Sequence, residues 1–176
     1  MQEEYLALWN KCVEFHGHGC GGLAVGFRAS LYALELLGEN RSVDEELVCI
    51  AECDSCAVDA IQVIMGCSVG KGNLIINMQG KNAFAFYSRK QDKAFRLVLK
   101  RTPEKSKEER LEWLMEGDYH EMFDVKEALD KVPERARIFK SYVCEECNES
   151  VAEYYVRLEN GRTLCSRCAH SYSRGF

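Results

Sequence analysis

The sequence predicts an α+β fold, a mainly antiparallel sheet packed with helices, followed by a small C-terminal module of zinc-ribbon or treble-clef type. Three observations carry this reading. Apolar residues recur at helical spacing in the first forty residues, short Val-, Ile- and Phe-rich runs separated by turn signals fill residues 47–100, and two Cys-x2-Cys pairs lie near the end of the chain.

Tyr5, Leu8, Trp9, Cys12 and Val13 fall at i, i+3, i+4, i+7 and i+8, one apolar helix face, with Cys12 in the core. His16 continues that face and Gly17 follows as a C-cap, so His16 is expected at the helix end, pointing inward. A second helix fits Gly22 to Leu37, stopped by Gly38, which makes His16-Gly17-His18-Gly19-Cys20 the turn between two helices. LVCIAEC (47–53) reads as a buried strand with Cys49 as core packing. DSCAVDAIQVIMG (54–66) reads as a helix capped by Asp54 or Ser55 and closed by Gly66. NLIINM (73–78), AFAFYS (83–88) and AFRLVLK (94–100) read as strands. Thr102-Pro103 is expected to open a helix through KEERLEWLMEG, and a further helix fits 120–131, so that 101–133 forms a charged helical linker. Val132-Pro133 marks a break, giving a core domain over 1–133 and a metal-binding module over 134–176.

The composition narrows the classes of function. With 47% apolar residues, 176 residues suffice for a packed core. The first residues, MQEEYLALWN, lack a signal-peptide pattern, and no run approaches the roughly 20 apolar residues of a membrane span, so a cytoplasmic chain is expected. The net charge of −5, with signs mixed along the chain, favours neither nucleic acid nor an anionic membrane. In a reducing compartment, ten cysteines are metal ligands, reactive thiols or small buried hydrophobes.

Cys144-x2-Cys147, seventeen residues, then Cys165-x2-Cys168 has the spacing of a four-cysteine structural zinc site. Between the pairs, VAEYYVRL and RTLC flank Asn160-Gly161, a hairpin signal, and Ser166 onward can form a short helix. So short a module cannot bury enough to fold alone, and zinc is expected to stabilise it. From Arg135 to Phe176 there are seven Lys or Arg against five Asp or Glu, too slight an excess to point to nucleic acid.

The second cluster joins His16, His18 and Cys20 to Cys56 and Cys67. Cys56 falls in the first turn of its helix, where free N–H groups and the macrodipole favour a thiolate. Asp59 lies one turn on, as a candidate base or a histidine-orienting group, with a capping role equally open. Cys67 shares an ion with Cys56 only if the chain turns back after Gly66, since eleven residues of helix span ~16 Å. Gly66-x3-Gly70-Lys71-Gly72 lacks the spacing and hydroxyl of a nucleotide-binding P-loop. Gln62 and Lys71 remain candidate contacts for a bound anion.

His16-Gly17-His18-Gly19-Cys20-Gly21-Gly22-Leu23, Cys56-x2-Asp59-Ala60-Ile61-Gln62 and Gly66-Cys67-Ser68-Val69-Gly70-Lys71-Gly72-Asn73-Leu74 together resemble the FmdE family, named for a component of formylmethanofuran dehydrogenase, over roughly residues 10–140. Gly21 stands where many members have proline, and Ser68 where threonine is common. Cys49 and Cys53 match no family cysteine and are read as structural. The resemblance implies an α+β core, a metal or thiol site built from these histidines and cysteines, and frequent homodimers. The family name points to a molybdenum or tungsten oxidoreductase, yet the chain has neither the molybdopterin domain nor the iron–sulfur motifs of a catalytic subunit. The favoured arrangement has His18 and Cys20 as ligands, Cys56 or Cys67 as a third and His16 as a fourth, around zinc or another borderline-soft metal. The functional expectation is a metal-binding accessory protein for such an oxidoreductase or its cofactor. The alternatives are a small enzyme using the open coordination position or the Cys56 thiolate, and a zinc-ribbon regulator that binds nucleic acid or protein.

Overall fold

The computed structural model describes residues 2–101 and 106–170. The chain divides into two compact units, residues 1–136 and 137–176. Among the described residues no helix is long and apolar enough to cross a membrane.

The first unit begins with α1 (Gln2–His16) and α2 (Gly21–Leu37). Gly17 ends α1 in the left-handed region, its N–H donating to Val13 O at 2.7 Å. Residues Leu23 to Ser30 of α2 are all buried, so this helix is packed on every side. Its one buried cation, Arg28, donates to the Gly117 carbonyl and to Tyr5 Oη at 2.9 Å and lies 4.9 Å from the centre of the Tyr119 ring. These partners compensate for taking a guanidinium out of water.

β1 (Leu47–Ala51), α3 (Ala57–Met65) and β2 (Leu74–Ile76) form a parallel crossover, with Cys49 opposite Leu74. β3 (Ala83–Ser88), β4 (Lys93–Leu99) and β5 (Phe123–Lys126) extend the sheet antiparallel in the order β2-β1-β3-β4-β5. Alternation sorts the strand side chains. Leu47, Cys49, Ala51, Phe84, Phe86 and Leu97 join the main core with the helices, while Val48, Ile50, Ala85 and Tyr87 form a second cluster. Burial of both strand faces explains why LVCIA shows no clean polar alternation. Glu52 and Arg96 form a buried bidentate pair, with Nε to Oε1 at 2.5 Å and Nη2 to Oε2 at 2.8 Å.

Three elements differ from the sequence reading. The helix expected from Asp54 starts at Ala57, because Cys56 is the N-cap and neither Asp54 nor Ser55 caps it. The Thr102-Pro103 helix start lies outside the described residues; the described α4 (Lys107–Glu116) begins at Ser106, whose side chain and Glu109 form a capping box. In place of a helix over 120–131 there is one turn, α5 (Tyr119–Met122), and then β5, since pairing of Phe123 with Leu99 and Val125 with Leu97 satisfies the backbone while Met122 and Phe123 enter the core. Residues 127–140 have no regular structure.

The second unit contains two hairpins. β6 (Ser141–Val143) pairs with β7 (Ser150–Ala152), and β8 (Val156–Glu159) with β9 (Arg162–Cys165). Asn160 and Gly161 both have positive φ, 50° and 79°, as a two-residue hairpin turn with right-handed twist requires. After Cys165 the described residues form turns, and the helix expected from Ser166 is absent among them.

Candidate metal centres

In the second unit, each hairpin delivers one Cys-x2-Cys pair, and the donor atoms of Cys144, Cys147, Cys165 and Cys168 all lie within 4.8 Å of one another. The Cys165 N–H donates to Cys144 Sγ at 3.3 Å. Backbone N–H groups of Cys147 and Cys165 bring the Cys144 thiol down to about 6, while its thiol neighbours, Cys165 foremost, push Cys168 up to about 12. Four converging thiols, one held ready as a thiolate, fit a zinc site. Among the described residues from 137 onward only Cys144 and Leu164 are buried, so apolar burial contributes little here.

In the first unit, His16 ends α1, Cys20 caps α2 and Cys56 caps α3, and one donor atom from each lies within 4.8 Å of the others. The first turn of α3 places Asp59 against His16, Oδ2 to Nδ1 at 2.7 Å. An ionised carboxylate only accepts, so Nδ1 carries the proton and Nε2 keeps its lone pair. That nitrogen lies 3.9 Å from Cys20 Sγ. A nitrogen and a sulfur on one tetrahedral zinc lie about 3.6 Å apart, from Zn–N of about 2.0–2.1 and Zn–S of about 2.3 Å. The donor set therefore fits the ion. Gln62 Nε2 donates to Asp59 Oδ1 at 3.2 Å, completing a chain in which glutamine holds carboxylate, carboxylate holds imidazole, and imidazole faces two thiols.

The close approach of α2 and α3 makes the cluster possible. A Cβ on Gly26 would stand 2.0 Å from Ala57 O, so only glycine admits the crossing. A Cβ on Gly22 would stand 3.2 Å from Cys56 Cβ and 3.5 Å from its sulfur, which leaves the Cys20 and Cys56 sulfurs converging on bare backbone. The Leu23 N–H donates to Cys20 Sγ at 3.4 Å, as befits a capping thiol. Cys56 is pushed up rather than down, by burial first and by the neighbouring Cys20 thiol next, so without a metal the helix terminus does not make it a thiolate. The expectation of a dipole-stabilised Cys56 thiolate is corrected on that point.

The other candidates stand elsewhere. His18 is exposed, its ring 4.7 Å from that of His16 and outside the three-donor set. Cys67 is fully buried beyond the end of α3, where burial pushes its thiol up to about 12. Lys71 donates to Val43 O at 3.3 Å and Asp44 O at 3.1 Å, bracing the loop before β1. Asn73, which carries no signal of its own in the sequence, is fully buried and ties Ser68 N–H to the carbonyls of Asp44 and Leu47. A groove of about 760 Å³ includes Lys11, Phe15, Arg41, Gln62 and Ser68, and so begins at the glutamine that holds Asp59. A wider cleft of about 890 Å³, lined by Tyr87, Lys93, Glu127 and Lys131 among others, contains neither histidine nor cysteine.

An α+β unit with one imidazole–dithiol cluster and a separate four-thiol unit defines a metal-binding protein of two parts. The family model described as FmdE, molybdenum formylmethanofuran dehydrogenase operon, matches residues 15–149, and the chain belongs to that family. A prokaryotic dksA/traR C4-type zinc finger matches residues 137–174. An Archaeoglobus fulgidus protein named "Probable S-adenosyl-L-methionine-binding protein" is 32% identical, with 97% of this chain and 55% of that protein covered, so the chain spans about half of that relative's length. The crystal structure of an FmdE-like protein of tungsten formylmethanofuran dehydrogenase from Syntrophus aciditrophicus superposes with a TM-score of 0.68 at 25% identity, covering 93% of this chain and 91% of that one.

Proposed function

We propose that the chain is an accessory metal-binding protein that holds an exchangeable zinc-class ion through His16, Cys20 and Cys56, beside a structural zinc at Cys144, Cys147, Cys165 and Cys168. The observation that carries this is the pairing of His16 Nδ1 with Asp59, which points the lone pair of Nε2 toward two thiols. Three protein ligands leave one position of a tetrahedral ion open, the arrangement of sites that exchange a ligand or pass on an ion rather than of closed structural sites. The ion would lower the affinity of both thiols for protons and supply a Lewis-acidic centre. Asp59 and Gln62 orient the imidazole, and Lys11 and Arg41 along the adjoining groove offer positive charge to an anionic client. Cys67 serves as packing and His18 as an exposed neighbour available to a departing ion.

The client in this reading is a molybdenum or tungsten oxidoreductase or its cofactor, and the assembly is a homodimer. The partly exposed Cys20–Cys56 edge also supports a second reading, a small metal- or thiol-dependent enzyme with Cys56 and Asp59 as its reacting groups. S-adenosylmethionine, taken from the name of the Archaeoglobus relative, is a candidate small-molecule ligand for that reading. Zinc titration of Asp59→Asn and Cys56→Ser, each with the C-terminal site filled, tests the proposal. Loss of the orienting carboxylate is expected to weaken the core ion 10–100-fold, within the roughly 10–100-fold range for such partners, and loss of the thiol to weaken it further. Unchanged affinity in both variants would refute it.

A further inference from the structure

We propose that Cys20 and Cys56 form a dithiol pair that oxidises to an intramolecular disulfide, and that this conversion gates occupancy of the core ion site. The second half rests on the core-ion reading above; the first half does not. Of the ten cysteines, four belong to the C-terminal cluster, and Cys12, Cys49, Cys53 and Cys67 are buried in the first unit. Cys20 and Cys56 remain, both partly exposed and free. Reagents that react with protein thiols meet these two before the buried four.

The two sulfurs are brought together by the backbone. Each cysteine caps a helix, and the helices meet where Gly26 packs against Ala57, the residue next to Cys56. The sulfurs lie within 4.8 Å of each other, with no side chain on Gly22 to separate them. A pair held this way pre-organises the second step of thiol–disulfide exchange, in which a resolving thiol must reach the first sulfur.

The oxidant is a low-molecular-weight disulfide. One of the two cysteine sulfurs, as thiolate, attacks a sulfur of that disulfide, breaks its S–S bond and releases one small thiol. The other cysteine sulfur then attacks the protein sulfur of the mixed disulfide, forms the Cys20–Cys56 bond and expels the second small thiol. The two cysteines lose two electrons and two protons, which reside in the two small thiols released. A disulfide offers no thiolate to a metal, so the oxidised pair leaves His16 as the sole donor of the three, and the ion departs. A bound ion conversely occupies both thiolates and blocks the first attack.

The test uses the full chain reconstituted anaerobically with one zinc, which the four-thiol site takes first, or with two, then exposed to oxidised glutathione. Free thiols are blocked and peptides mapped by mass spectrometry. The one-zinc chain is expected to yield a Cys20–Cys56 cross-link, reversible by dithiothreitol with recovery of the second zinc equivalent. The two-zinc chain is expected to cross-link about tenfold more slowly or less. Cys20→Ser is expected to stop at a stable glutathione adduct on Cys56. A lasting glutathione adduct in the unsubstituted one-zinc chain, without cross-link, overturns the dithiol pair. Equal cross-linking rates in a chain that demonstrably holds two zincs overturn the gating. A chain that accepts no second zinc but forms the cross-link refutes the core-ion reading and leaves the dithiol pair supported.

Discussion

Gly26→Ala isolates the contact on which the core cluster depends. The added Cβ would lie 2.0 Å from Ala57 O and 2.6 Å from Ala57 C and Cα, all backbone atoms that no side-chain rotation can clear. Ordinary carbon–oxygen contacts fall at about 3.3 Å, so α3 must retreat by roughly an ångström and carry Cys56 with it. Overpacking of this kind costs about 1–3 kcal/mol, and a backbone clash belongs at the upper end. Alanine also returns about 1 kcal/mol of helix propensity inside α2, leaving a net loss of about 2 kcal/mol. With an unfolding entropy of about 2.1 cal/mol/K per residue, the first unit of 136 residues gives roughly 0.29 kcal/mol/K, and Tm should fall by about 7 °C. Gly70→Ala, with nothing within 4 Å of its Cβ, is the control and should leave Tm within about 1 °C. Thermal unfolding followed by far-ultraviolet circular dichroism reads both. A Gly26→Ala Tm equal to that of the unsubstituted chain would refute the close crossing and, with it, the geometry that joins Cys20 to Cys56.

The buried Glu52–Arg96 pair gives a pH-dependent prediction. Arg96 holds the Glu52 carboxyl below its usual value, so the stabilisation is complete above the unfolded-state pKa near 4.3 and is lost as pH falls through the folded value. Glu52→Gln should cost about 3 kcal/mol at pH 7 by leaving the guanidinium buried without its counter-charge, and the two proteins should converge in stability below about pH 4. Denaturant titrations at pH 7 and pH 3.5 check both points. Removing metal with a strong chelator should abolish the β6–β7 and β8–β9 amide protection in hydrogen exchange while protection in β1 and β3 persists, because the second unit buries little apart from Cys144 and Leu164. Equal loss in both units would contradict that assignment.

The chain's own residues made much of this legible, and the limits have physical causes. The four cysteines reveal their site because a knuckle needs only local spacing. His16 could be placed at an inward-facing helix end because an apolar face of period 3.6 continues into it. Which histidine meets the thiols depended instead on Asp59, 43 residues away, and only the helix crossing brings that carboxylate to Nδ1. Gly26 carries no local signal, since inside a helix a glycine that admits a backbone contact reads the same as one that merely weakens it. Lys71 looked like an anion ligand and Asn73 like the first residue of a strand, and both are used as braces to loop carbonyls, a role set by the fold of a distant segment. The misread helix at 120–131 has the same origin. FDVK has weak local preference, and an open edge of β4 decided it.

The central claim is a metal ion held by His16, Cys20 and Cys56, and metal content per chain tests it most directly. Anaerobically purified protein and the Cys20→Ser/Cys56→Ser double variant, each equilibrated with zinc and desalted, would be compared by plasma mass spectrometry. Two ions are expected per unsubstituted chain and one in the double variant, with the remaining ion lost on substitution of Cys144. One ion in both proteins would contradict it.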